Sequence, residues 1–156
     1  MTNNPVVPKA EILGEQQCWT LLGETSIGRL AVTANGHPDV FPINYKVDQG
    51  SLIFRTGDGT KFRALSDESV VALEADAVSA EFGMAWSVVV KGRAVSASSA
   101  DDVLDTTGRS LFPWQGIGKD HLIRVVPDTV TGRRFTLTAP MTWRSPLDDV
   151  TRAGFE

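Results

Sequence analysis

The stretch with the clearest chemical potential reads Phe54-Arg55-Thr56-Gly57-Asp58-Gly59-Thr60-Lys61. An apolar run ends in a permanent cation and a hydroxyl, a glycine-containing loop follows, and a threonine and a lysine open the next element. Each part suits an anion. Glycines let main chain approach a ligand with no Cβ in the way. Free amides at a helix start, with the dipole behind them, favour phosphate. Arg55 brings a planar fork of donors, Lys61 a compact charge, and Thr56 and Thr60 hydroxyl donors. The spacing is neither Gly-x4-Gly-Lys-Ser/Thr nor Gly-x-Gly-x-x-Gly, so neither a nucleoside-triphosphate loop nor a dinucleotide fingerprint is supported. The plain alternative is a flexible turn flanked by solvated charges, since surface Arg and Lys are common. The preceding run weighs against it: Asn44 can present an amide to a ligand beside Arg55, and Pro42 leaves part of the backbone unpaired.

Other chemistry-bearing residues carry less. His37 follows an Asn-Gly turn, and His121 precedes a β-like run with no His, Cys or carboxylate at ligand spacing. With two histidines and one cysteine, a zinc site is disfavoured. A haem would need an axial ligand, for which His121 is the one candidate worth testing. Cys18 falls on an apolar pattern and reads as a small core residue. Asp101, Asp102 and Asp105 suit the dipole at a helix start. Trp19 reads as core, while the roles of Trp86, Trp114 and Trp143 stay open.

The elements that must position these residues are mostly strands. Residues 11–22, with apolar Ile12, Leu13, Cys18, Trp19, Leu21 and Leu22 and then Gly23, predict one amphipathic helix of about three turns. From residue 26 the period changes. Residues 26–33 are β-favouring, and Asn35-Gly36 after them is a strong hairpin signal. The next run alternates, with Phe41, Ile43, Tyr45 and Val47 on one face and Val40, Pro42, Asn44 and Lys46 on the other. Asp48-Gln49-Gly50 turns the chain into a third strand, 51–56, completing a meander. Because Pro42 lacks an amide donor, its strand should be an edge or irregular there. A short helix is expected over 60–66, strands over 70–76 and 86–96, a helix start at 98–102, and strands over 122–126 and 133–138. About seven strands with a few short peripheral helices predict a mostly β (α+β) fold, an antiparallel closed or partly closed barrel.

The chain has 156 residues, enough for one domain, with 42% hydrophobic and 22% charged residues, as in a globular protein with a real core. The domain is expected over residues 1–138, including an N-terminal arm, with 139–156 an irregular tail. The net charge of −4 argues against a dedicated nucleic-acid binder. One cysteine excludes an intrachain disulfide and suits a cytoplasmic setting. The N-terminus lacks signal-peptide character, and no apolar run approaches the roughly 18 residues of a membrane span.

Four blocks in order carry a resemblance: Gly28-Arg29-Leu30-Ala31-Val32; Pro42-Ile43-Asn44-Tyr45; Phe54-Arg55-Thr56 with Gly59-Thr60-Lys61; and Ala85-Trp86-Ser87-Val88-Val89-Val90-Lys91-Gly92. Over about residues 18–135 the chain resembles the flavin-binding split-barrel family related to pyridoxamine 5′-phosphate oxidase, in particular its short actinobacterial members. The resemblance implies a split β-barrel homodimer with FMN in a cleft between protomers. It implies that Arg55, Thr56, Thr60 and Lys61 bind the FMN phosphate, that Pro42, Asn44 and Tyr45 lie along the ring and ribityl chain, and that Trp86, Ser87 and Val88 form the strand next to the flavin. Trp114 would reach the partner's cofactor. The arginine-rich C-terminal motif of true pyridoxamine 5′-phosphate oxidases is missing, since Gly132-Arg133-Arg134-Phe135 falls within an expected strand. The expectation is therefore an FMN-dependent oxidoreductase of unassigned small-molecule substrate. The alternatives are a non-enzymatic flavin-binding or sensing module and a deazaflavin-dependent reductase. FAD is a further alternative cofactor, and haem a remote one.

Overall fold

The computed structural model describes residues 10–56, 65, 69–97 and 121–137. They form strand β1 (Ala10–Leu13), helix α1 (Glu15–Glu24) and strands β2 (Ile27–Ala34), β3 (His37–Asp48), β4 (Ser51–Thr56), β5 (Ser69–Ser79), β6 (Met84–Ser96) and β7 (His121–Thr136). All pairings are antiparallel, in the order β1-β7-β4-β3-β2-β5-β6, and an additional β6–β7 pairing closes the sheet into a barrel. The mostly β, split-barrel expectation holds.

The meander forms for the reason its turns advertise. Asn35 and Gly36 adopt φ of 52° and 77°, and Gln49 and Gly50 φ of 46° and 72°. Two consecutive left-handed residues give a tight turn whose twist matches the strands it joins. Pro42 also behaves as its chemistry demands. The Tyr45 amide donates to Ser26 O at 2.9 Å, so odd positions of β3 turn their main chain towards β2. Pro42 therefore presents its donorless nitrogen to the other side, where the β4 ladder begins only at Tyr45.

Two expectations are corrected. Residues 11–22 are not one helix: β1 pairs with β7 from Ala10↔Phe135 to Leu13↔Gly132, and α1 starts after Gly14. Ile12, counted in the helical stripe, is 83% exposed, and Glu11 pairs with Arg134 at 2.9 Å. The open edge of β7 recruits this segment, a tertiary cause invisible to periodicity. Gln17 Oε1 accepts the Gly14 amide and starts the helix, and Gly23 lies inside its last turn. The expected strands over 122–126 and 133–138 are one 16-residue strand, β7. It absorbs Pro127 and Asp128 at a bulge opposite Lys91 and Gly92. A Cβ on Gly92 would lie 2.0 Å from Val126 O, so only glycine lets β7 close in there. The expected helices at 60–66 and 98–102 and the tail from 139 fall outside the described residues, apart from buried Leu65.

The barrel interior is filled by Leu30, Tyr45, Phe54, Leu73, Val90 and Ile123, among others. Helix α1 covers one end. Cys18 and Leu22, one turn apart, are fully buried, with Cys18 set against Gly132, where an added Cβ would meet Sγ at 2.7 Å. Among the described residues no helix is long and apolar enough to cross a membrane.

Candidate functional site

The alternation along β3 and β4 sorts the candidate residues by face. Tyr45 and Phe54 are direct partners, both inward and buried. One step beyond this last rung, Asn44 and Arg55 leave their strands on the outward side, both half-buried. Pro42 lies on the same outward face, two residues before Asn44, and is exposed. Thr56 points inward at the barrel rim, 4% exposed, opposite His121, while Arg55 is opposite Leu122. The strand end thus sets an amide and a guanidinium together on the outward side, with the Thr56 hydroxyl on the inward side. This donor set fits a phosphate or another oxygen-rich acceptor. Thr60, Lys61 and Trp114 lie outside the described residues.

The strand below this rim is pinned on the outside. Arg124, the β7 partner of Ile53, donates through Nη1 to Asp48 Oδ2 at 2.9 Å and to Ser51 Oγ. One arginine thereby fastens the β3–β4 turn to β7. Behind the wall, the Tyr45 hydroxyl donates to Leu22 O at 2.8 Å. Burial pushes its pKa well above the ordinary phenol value, chiefly through lost hydration. Tyr45 therefore contributes main chain to the outer face, and its ring and hydroxyl belong to the core.

The second group expected at the ligand is placed apart. Trp86 and Val88 share the inward face of β6, with Val88 fully buried, and Ser87 faces out. Strand β7 lies between β4 and β6, and the β7 partner of Arg55 is Leu122, whereas that of Trp86 is Arg134. Within one chain the Trp86 and Val88 side chains and the Asn44–Arg55 pair occupy opposite faces of the barrel wall.

The outward face also holds a group that sequence reasoning passed over. Arg29 of β2 stands directly between Pro42 of β3 and Glu74 of β5. Its Nε donates to Glu74 Oε2 at 2.7 Å and its Nη2 to Asp76 Oδ1 at 2.7 Å. The Glu74 hydrogen bond leads the causes that hold its pKa above the ordinary arginine value. Glu74 and Asp76 lie 45 and 47 residues away in sequence, so no local signal could have joined them to Arg29. Near this face a cavity of about 380 Å³ runs between the end of α1 and β3, lined in part by Glu24, Ile27, Tyr45 and Lys46. Among the described residues no three His, Cys, Asp or Glu side chains group as metal ligands.

Residues 14–134 match the family model described as pyridoxamine 5′-phosphate oxidase. An uncharacterised protein of Mycobacterium tuberculosis is 33% identical over 127 residues, covering 78% of this chain and 83% of that protein. The structure of an FAD-binding protein from Mycobacterium smegmatis is similar at 36% identity and a TM-score of 0.68, over 80% of this chain and 99% of that one. A Corynebacterium glutamicum structure, provisionally named a pyridoxamine 5′-phosphate oxidase, is 34% identical with a TM-score of 0.70, over 89% of this chain and 100% of that one.

Proposed function

This chain belongs to the pyridoxamine 5′-phosphate oxidase family, and on that premise we propose that it binds a flavin nucleotide and acts as a flavin-dependent oxidoreductase. The observation that carries the reading is the outward pair Asn44 and Arg55, set at the open end of the β3–β4 ladder. Arg55 offers a bidentate fork to the phosphate, and Thr60 and Lys61, next along the sequence, extend the same donor set. Pro42 and Asn44 present an outward strip of β3 against which a planar ring can lie. When bound, the flavin supplies the hydride and electron chemistry, and the chain supplies binding, orientation and electrostatics.

FMN is the first reading, as the family resemblance implies. FAD is the second reading, favoured by the similarity to the Mycobacterium smegmatis FAD-binding protein. A homodimer with the cofactor at the interface, which that resemblance also implies, is part of the same proposal.

Mass spectrometry of the ligand released from purified protein, with a visible spectrum before release, tests the reading. Bound FMN or FAD is the expected result. A colourless protein that also fails to take up either added flavin would overturn it. Reduction of the bound flavin by NADH or NADPH separates an oxidoreductase from a binding module, and sedimentation gives the number of copies.

A further inference from the structure

Arg29 has a geometry that fold stability alone does not require. Its two carboxylate partners occupy the Nε–Nη2 side of the guanidinium, with Glu74 Oε2 contacted by both nitrogens and Asp76 Oδ1 by Nη2. The group is planar and rigid, so Nη1 lies on the edge turned away from Glu74, and thus away from β5. Nη1 makes no hydrogen bond among the described residues. The side chain is 40% exposed, and Pro42 is its direct partner on the β3 side. Two donors are therefore held in a fixed direction on the outward face that carries Pro42 and Asn44.

The charge around those donors matters as much as their direction. One guanidinium beside two carboxylates, with Glu74 31% and Asp76 57% exposed, leaves the cluster one unit negative. Such a group can donate hydrogen bonds without offering net positive charge. It suits a neutral carbonyl acceptor and disfavours an anion, the reverse of the preference expected at Arg55.

We propose that Arg29 is a specificity-determining residue whose Nη1, clamped by Glu74 and Asp76, donates to a neutral carbonyl of the molecule bound over Pro42 and Asn44. The inference rests on the flavin reading above. Two sources fit the same chemistry: an imide carbonyl of the flavin ring, or a carbonyl of a neutral acceptor seated against it.

The test uses the full chain, with FMN as the first probe and a neutral naphthoquinone and its sulfonated counterpart as the second, binding being read from flavin absorbance. Arg29→Lys keeps the charge and loses the fork. If the carbonyl is the flavin's, the variant binds FMN roughly tenfold more weakly, and the visible bands of the bound flavin shift. If it is the acceptor's, FMN affinity holds and the neutral quinone binds roughly tenfold more weakly. In either case Glu74→Gln with Asp76→Asn, which exposes the arginine charge, raises the relative affinity for the sulfonated quinone. Unchanged FMN affinity, bands and quinone binding in Arg29→Lys would overturn the proposal. So would losses that merely track a fall in melting temperature, since these would reduce Arg29 to a tie between β2 and β5. A wild-type chain that binds neither FMN nor FAD would overturn the parent reading and this one together.

Discussion

The Tyr45 hydroxyl donates to Leu22 O at 2.8 Å, joining the strand that carries Asn44 to the last turn of the one helix among the described residues. The ring fits because Gly28 has no side chain: a Cβ there would stand 3.2 Å from Tyr45 Cε1 and 2.8 Å from Glu74 O. Wall, plug and outer face thus meet at a single residue.

Removing that hydroxyl tests the link. Tyr45→Phe leaves a buried helix carbonyl unsatisfied and should cost about 1–3 kcal/mol in a urea titration. The cost should fall on the fold first, with any loss of ligand affinity following from displaced main chain.

The same residue predicts an alkaline limit. Burial raises the folded-state pKa of Tyr45 above its unfolded value near 10. The folded state therefore holds the proton more tightly, and the associated stability is complete below about pH 10 and lost as pH rises beyond it. Unfolding free energy followed from pH 9 upward should decline in the wild type and decline less steeply in Tyr45→Phe.

The contact between Gly132 and Cys18 should behave as a lock with one key. Gly132→Ala places a Cβ 2.7 Å from Cys18 Sγ and 3.1 Å from Val88 Cγ2, and should destabilise by about 1–3 kcal/mol. Cys18→Ala removes the sulfur, so the double variant should recover part of that loss. Additive costs in a double-mutant cycle would show that the helix is not seated on Gly132.

Cys18 is fully buried, and desolvation leads the causes that raise its thiol pKa. A thiol in that setting should react with an aromatic disulfide reagent only as fast as the protein opens. Rapid stoichiometric labelling of native protein would place α1 elsewhere.

At the proposed flavin site, Arg55→Ala should weaken FMN binding by at least about tenfold, the worth of a charge-assisted hydrogen bond. The wild-type affinity should also fall with added salt more steeply than that of the variant. Equal affinities, measured by quenching of flavin fluorescence, would put the phosphate elsewhere.

The sequence by itself determined whatever depends on neighbours along the chain. Asn35-Gly36 and Gln49-Gly50 specified both turns of the meander through the left-handed backbone those turns need. Strict alternation put Tyr45 and Asn44 on opposite faces of their strand, and the missing donor of Pro42 required an edge or an irregularity there. Arg55 and Thr56 were legible as donors because they close an apolar run and precede a glycine-containing loop. Tertiary structure decided the rest. Residues 10–13 became a strand only because β7 offers an edge with Arg134 facing Glu11. Pro127 passed through β7 only because Gly92 leaves room opposite it. The Tyr45 hydroxyl was spent on a helix carbonyl 23 residues away. Arg29 gained two carboxylate partners from a strand more than forty residues further on. Side-chain period follows from local backbone geometry and can be read off the chain. Edge pairing, plugging of the barrel and ion-pair partners depend on which distant surfaces meet, and only the closed sheet brings them together.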